Sequence, residues 1–364
     1  MSLALYRKYR PQTFAEVIGQ EHIKKTLENE LKMGRTSHAY LFYGPRGIGK
    51  TTIGRILAKA LNCEKRKNNE SEPCNECNNC LEITQGKNLD LIEIDAASHT
   101  GVEKVRENII ENIKFTPSHS RYKVFIIDEV HMLSPSAFNA LLKSLEEPPS
   151  YVIFILCTTE PHKLPKTILS RCQKFSFSKV SIKEIFNRLK GIVKSEKIKV
   201  DDGVLENIAN ISQGYVRDSE SLLSQILSLG DKEITIEEAE LVLPYSEFKK
   251  VNELVNYLLK KDASGAVGLI NETVEKGIDL KQFNLNLVEF LRKIMLVKIS
   301  GGVDKYALSL DEKTEKEILS LAEKIEINEV VKIIEEFMKI KNYLEMSEIP
   351  QLPFELAIIK ICAL

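Results

Sequence analysis

Eight consecutive residues, Gly44-Pro45-Arg46-Gly47-Ile48-Gly49-Lys50-Thr51, carry the spacing G-x-x-x-x-G-K-[ST] of a phosphate-binding loop. Glycines let the backbone wrap closely around a β-phosphate with its N–H groups inward. Lys50 supplies charge toward the β and γ oxygens, and the Thr51 hydroxyl is suited to ligate magnesium, with Thr52 the last of the nucleotide-binding set. The expected substrate is a nucleoside triphosphate. Further on, the apolar run Val124 to Ile127 leads into Asp128-Glu129. At the end of a buried strand such a pair divides its labour: Asp128 joins Thr51 in a Mg²⁺ shell, and Glu129 polarises the water that attacks the γ-phosphate.

A second constellation is Cys63-x₁₀-Cys74-x₂-Cys77-x₂-Cys80, four thiols within 18 residues. Two-residue gaps let successive cysteines curl around one ion while the fourth comes from the end of the preceding helix, which fits tetrahedral zinc. All four positions are protein ligands, so the site is expected to be structural. Asn68, Asn69, Glu70 and Pro73 cannot build a core, and a metal would supply the order this insertion lacks. An iron–sulfur cluster is the weaker competitor for the same thiols, and four scattered buried cysteines are the plain alternative. Cys157, Cys172 and Cys362 lie in apolar or strand contexts and are expected to be unreactive.

Positioning these groups requires a sheet. Leu41-Phe42-Tyr43, Leu91-Ile92-Glu93-Ile94, Val124-Phe125-Ile126-Ile127 and Val152 to Leu156 are continuous apolar runs alternating with helical patterns. That is the pattern of parallel strands covered on both faces, and the phosphate loop falls between the first strand and a helix carrying Ile53, Ile56 and Leu57. After Phe177 the strand signal disappears. Ser181 and Glu184 have capping-box spacing, Ile182, Ile185 and Leu189 share one helical face, and Leu205, Ile208 and Ile211 share another before Gly214. Val251, Leu254, Val255, Leu258 and Leu259, then Val330, Ile333, Ile334 and Phe337, continue the helical spacing. Three parts are expected, 1–177 with the cysteine module at about 63–80, 178–243, and 244–364.

Composition narrows the class. With 364 residues, 43% hydrophobic and 28% charged, the chain is that of a globular protein of two or three domains. No apolar run is long enough for a membrane span, no secretory signal is read in the first residues, and a cytoplasmic protein is expected. Fifty-one basic residues against 52 acidic give a net charge of −1, so any nucleic-acid contact must be local. Seven cysteines without an export signal direct attention to metal binding rather than disulfides.

Further motifs carry a family likeness: Tyr6-Arg7-Lys8-Tyr9-Arg10-Pro11, Val17-Ile18-Gly19-Gln20, Asp128-Glu129-Val130-His131, and Phe138 to Lys143 running to Glu146-Glu147-Pro148-Pro149. Together with the phosphate loop they resemble the gamma/tau family of bacterial DNA polymerase III clamp loaders, which are AAA+ ATPases. The likeness is dense to about residue 220; beyond it only Leu352-Pro353-Phe354-Glu355-Leu356 and the helical character agree. It implies an α/β AAA+ domain with a zinc-binding insertion, a small helical lid domain and an all-α collar domain that oligomerises. It also assigns three residues: Thr159 as the sensor of the γ-phosphate, Arg171 in Ser170-Arg171-Cys172 as an arginine finger acting in trans on a neighbour's ATP, and Arg217 as a second sensor from the lid. His131 is read as a packing or hydrogen-bonding residue, and Lys143 as either a solvated charge or a relay or DNA contact.

The resemblance therefore implies an ATPase turning ATP into ADP and phosphate with Mg²⁺. Its partners would be delta, delta-prime, further gamma/tau copies, a sliding clamp and primed DNA. No polymerase site of its own and no membrane partner are expected. Two rivals share the loop: an AAA+ motor for another task, such as a branch-migration helicase, and a nucleotide-binding scaffold without turnover. The cysteine module and Pro148-Pro149 argue against the first, and the intact set Lys50, Thr51, Asp128 and Glu129 against the second.

Overall fold

The computed structural model describes residues 4–98, 106–230, 233–240, 247–301 and 312–363. The chain divides into two compact units, Met1–Glu196 with Ser212–Ser224, and Lys197–Ile211 with Gln225–Leu364.

The first unit is built on a five-stranded parallel sheet: β1 (Ala39–Tyr43), β2 (Leu91–Asp95), β3 (Lys123–Asp128), β4 (Val152–Thr158) and β5 (Gln173–Ser176), in the order β2-β3-β4-β1-β5. Successive residues of a strand point to opposite faces, and here both faces are covered. Tyr40, Phe42, Val124, Ile126, Ile153 and Ile155 join one core with the helices Glu21–Met33 and Lys50–Asn62. Leu41, Phe125, Ile127, Phe154 and Leu156 join the other with the helix Pro135–Glu146. Two-sided burial is the reason these strands read as unbroken apolar runs. The four strands read from the sequence are β1 to β4, the three inner strands and the edge strand β2, and β5 is an addition. Gln173-Lys174-Phe175-Ser176 has a single apolar residue, Phe175, which packs edge-on against Phe42 at 5.7 Å. An edge strand with one buried side chain has no run to detect.

Helix ends follow local chemistry. Ser181 and Glu184 form the reciprocal box that their spacing predicts: the Glu184 amide donates to Ser181 Oγ at 3.3 Å and the Ser181 amide to Glu184 Oε2 at 3.2 Å. Ser134 Oγ accepts from the Ala137 amide at 3.2 Å, with Pro135 opening the helix. Before β2, the buried Asp90 accepts from the Ser118, His119 and Ser120 amides at 2.8 to 3.0 Å. Burial works against its charge, but these three donors hold the carboxyl below the ordinary range.

Parallel strands deliver their carboxyl ends to one edge of the sheet, where α/β proteins bind ligands. Register places Tyr43 beside Thr158 and Asp95 beside Asp128. The loop after β1, the acidic pair after β3 and Thr159 after β4 therefore lie along one edge.

The second unit is helical. A pair of two-residue parallel strands, Lys199–Val200 and Glu233–Ile234, accompanies the helix Asp202–Ile211, a departure from the strand-free expectation beyond Phe177. Segments so short carry no periodicity. A bundle of Glu247–Leu259, Ala263–Glu275, Leu280–Ser300, Glu312–Lys324, Ile327–Met346 and Leu352–Ala363 shares one core around Phe283, Leu287, Leu291, Phe337 and Phe354. Val251, Leu254, Val255, Leu258, Val330, Ile333 and Phe337 are buried at the predicted helical spacing, and Leu259 and Ile334 pack half-buried against them. The boundary read at 243 lies outside the described residues. No helix among the described residues is long and apolar enough to cross a membrane.

Gly44 is where the sheet hands over to the phosphate loop. Its φ is +144°, and a Cβ there would overlap the Phe177 carbonyl oxygen and approach Phe177 Cβ to 3.1 Å. Gly44→Ala is expected to lower the melting temperature of the chain, by roughly 2–4 °C for each kcal/mol of strain in a unit of this size, measured by calorimetry. An unchanged transition would show that the crowding is relieved at no cost.

Candidate functional site

A cleft of about 470 Å³ opens at the carboxyl edge of the sheet and is lined by the whole loop from Arg46 to Thr52, by Asp128 and Glu129, and by Arg217. Loop geometry depends on three positive φ values, at Gly44, Gly47 and Gly49, the last capping the helix Lys50–Asn62. That helix presents its free N–H groups to the cleft, the standard basis for anion binding. The Lys50 side chain is 6% exposed, and its ammonium donates to the Gly44 and Pro45 carbonyls at 2.8 and 2.7 Å. Burial pulls its pKa below the ordinary lysine range, while the Glu129 and Asp128 carboxylates favour the charged form.

Across the cleft Thr51 Oγ1 donates to Asp128 Oδ2 at 2.7 Å, joining the two residues read as magnesium ligands. A hydroxyl and a carboxylate oxygen at this separation, open to a cleft, form a donor set that suits Mg²⁺ with its waters. Glu129 adopts φ +47° and receives two bonds to Oε2, from the Thr159 amide at 3.3 Å and the Thr159 hydroxyl at 3.1 Å. His131 is buried beside it, with Nδ1 2.9 Å from Thr158 Oγ1 and 3.4 Å from Glu129 Oε2, and Nε2 3.3 Å from Glu160 Oε1. Lys143 is exposed.

Arg217 meets the phosphate loop directly, its amide donating to the Gly47 carbonyl at 3.1 Å and its guanidinium lying 4.7 Å from the Tyr6 ring centroid. Arg171 does not line the cleft of its own chain; it pairs with Glu146 at 2.5 Å and donates to the Thr167 carbonyl at 2.8 Å. Three charged lining residues, Asp95, Arg188 and Glu220, escaped the sequence reading. Asp95 ends β2 as Asp128 ends β3, and that parity was available. Arg188 and Glu220 gave no signal, being single charges on amphipathic helices. They pair at 3.0 Å with little exposure, and Arg188 also donates to the Tyr9 carbonyl. Burial pushes the Glu220 carboxyl up and Arg188 opposes it.

The four sulfurs of Cys63, Cys74, Cys77 and Cys80 all lie within 4.8 Å of one another. The amides of Glu76 and Cys77 donate to Cys74 Sγ at 3.4 and 3.3 Å, and the Cys74 amide to Cys63 Sγ at 3.3 Å. Burial opposes the thiolate at Cys74, yet those amides bring its pKa down to about 7. Four converging soft ligands with N–H donors behind them fit zinc, with no protein-free position for a substrate. Cys157 is buried, and burial pushes the Cys172 thiol up to about 11. All seven cysteines are free.

Comparison with known proteins gives two family matches and several relatives. Residues 19–181 match the family described as DNA polymerase III, delta subunit, and residues 234–364 the one described as DNA polymerase III subunits gamma and tau domain III. The DNA polymerase III subunit tau of Bacillus subtilis is 44% identical over 99% of this chain, which spans 63% of that relative's length. The DNA polymerase III subunit gamma of Buchnera aphidicola subsp. Schizaphis graminum is 44% identical over 81% of this chain and 80% of its own. The gamma subunit from subsp. Baizongia pistaciae is 36% identical over 98% and 96%.

For the cysteine cluster the expected outcome is one zinc per chain by elemental analysis. Cys77→Ser should release about one equivalent of metal and expose the segment 63–80 to protease, because a structural zinc site contributes folding energy directly. Full retention of metal by this variant would remove Cys77 from the ligand set.

Proposed function

The chain belongs to the gamma/tau family of DNA polymerase III subunits, and from that premise we propose that it is the ATP-hydrolysing motor of a clamp loader, which opens a sliding clamp and sets it on primed DNA. Its partners are delta, delta-prime and further gamma/tau copies, and its place is the cytoplasm. The observation that carries the reading is the single cleft in which Thr51 Oγ1 and Asp128 Oδ2 stand 2.7 Å apart beside the buried Lys50 ammonium.

ATP sits with its phosphates in the loop from Gly44 to Thr51. Thr51 and Asp128 would hold magnesium, which would supply positive charge to offset that of the phosphates. Lys50 exchanges its loop carbonyls for phosphate oxygens, and Glu129 orients the attacking water. The Thr159 bonds to Glu129 support a sensor role: a hydroxyl that now holds the carboxylate can instead meet the γ-phosphate. Arg217, contiguous with Gly47, reports the nucleotide to the lid. We retain the division at 178 and 243 into ATPase, lid and collar parts. Exposed apolar residues of the last two helices, Met338, Tyr343, Met346, Leu356 and Ile359, support a collar that associates with other subunits.

Arg171 acts on the neighbour's nucleotide. Its partner Glu146 belongs to the Glu146-Glu147-Pro148-Pro149 motif and is half exposed, so assembly can release the guanidinium at small cost.

Reconstitution with clamp, partner subunits and primed DNA is expected to stimulate ATP turnover and give ATP-dependent clamp loading; no stimulation by the complete set counts against the reading. Lys50→Ala should abolish both, and unchanged activity would favour a scaffold without turnover. Arg171→Ala should leave nucleotide affinity of the isolated chain intact and lower turnover of the complex by about 10³-fold. Lost binding in the isolated chain would contradict action in trans.

A further inference from the structure

We propose that the cysteine module positions the nucleotide cleft, with Glu72 as the residue through which it acts; this rests on the reading of the cleft as an ATP site. Glu72 lies in the irregular stretch between Cys63 and Cys74. Its two carboxylate oxygens accept from two successive backbone amides of the N-terminal segment, Oε2 from Phe14 and Oε1 from Ala15, both at 2.8 Å. This is a charged fork closed on a fixed pair of donors, stronger and more directional than neutral bonds. The Phe14 ring is fully buried in the core beside Ile23 and Leu27, so the fork fixes a chain already anchored at one point. Immediately on either side, Arg10, Pro11, Val17 and Ile18 form a wall of the cleft.

A second tie reaches the same segment from the other side of the module. The helix Asn78–Gln85, which carries Cys80, presents Thr84, and the buried Lys59 ammonium bridges Thr84 Oγ1 at 2.9 Å to Gln12 Oε1 at 2.8 Å. Residues 10–18 have no secondary structure of their own; besides the buried Phe14 and Val17 and the Lys24 bond to the Val17 carbonyl at 2.8 Å, they are tied by Glu72 and by the Lys59–Thr84 pair. Residues 64–76 have no helix or strand, and Asn69 and Asn75 hold positive φ. Arg66 pins the start of this loop by donating to the Ala60 and Leu31 carbonyls at 2.7 and 3.2 Å, and closure at Cys63 and Cys74 fixes its far end, next to Glu72. Metal in the module therefore acts at a distance on the wall, and Glu72 touches no nucleotide; it is a positioning residue.

Titration of the full chain with a fluorescent ATP analogue and magnesium, alongside elemental analysis, tests this. Glu72→Ala should weaken nucleotide binding about tenfold, part of the energy of its two lost charge-assisted hydrogen bonds being felt at the cleft, with zinc content unchanged. Glu72→Gln, which keeps one acceptor oxygen and the side-chain shape, should fall between the two. Chelating zinc from the wild type should weaken binding by a similar factor, and chelation of Glu72→Ala should add little, since both remove the same restraint. Wild-type affinity in Glu72→Ala, additive losses on chelation, or loss of zinc from Glu72→Ala each overturns the proposal while leaving the ATP site intact. Failure of the wild type to bind the analogue overturns the reading of the cleft as well.

Discussion

A buried ammonium is the constraint around which the first unit is arranged. Lys50 is removed from water, which by itself favours the neutral amine, so its charge persists only where carbonyl dipoles and carboxylates replace the lost hydration. Gly44 and Pro45 supply the carbonyls from the loop after β1, and Asp128 and Glu129 supply the negative charge after β3. A sheet whose strands all run one way is what brings these two loops to the same edge. On the proposed function the same balance would make the site responsive, because a phosphate in the cleft would compete with the carbonyls that Lys50 holds.

Around this centre the polar contacts come in pairs that join distant parts of the chain. Asp128 faces Thr51 across 77 positions in sequence, and Thr159 faces Glu129. Arg188 and Glu220 bring together two helices and the Tyr9 carbonyl. The little-exposed Arg188–Glu220 pair costs desolvation and stabilises little on balance, but it fails badly if one member is lost, which suits it to fixing geometry rather than adding stability.

The N-terminal segment shows a different solution to the same problem. Between Arg10 and Val17 there is no helix or strand, and only Phe14 and Val17 are buried apolar anchors. Its Phe14 and Ala15 amides are satisfied by Glu72 and its Gln12 side chain by Lys59, supplied by the cysteine module and the helix leading into it. A loop that cannot bury enough surface to order itself is held by hydrogen bonds to a stretch that is itself closed by four cysteines.

The candidate site was legible in the sequence where it is local. The phosphate loop, the acidic pair and the four cysteines are short local patterns set by spacing, and the inner strands β1, β3 and β4 announce themselves because burial on both faces demands unbroken apolar runs. The capping box at Ser181 was equally explicit. What spacing could not give is anything decided by a single residue meeting a distant one. β5 offers one apolar side chain, Arg188 and Glu220 are ordinary charges on amphipathic helices, and nothing in Glu72 distinguishes it from the exposed residues before it. Those positions acquire meaning only when the fold sets a carboxylate against two amides or a guanidinium against a buried acid, because a hydrogen bond depends on distance and direction in space, and one-dimensional order carries neither.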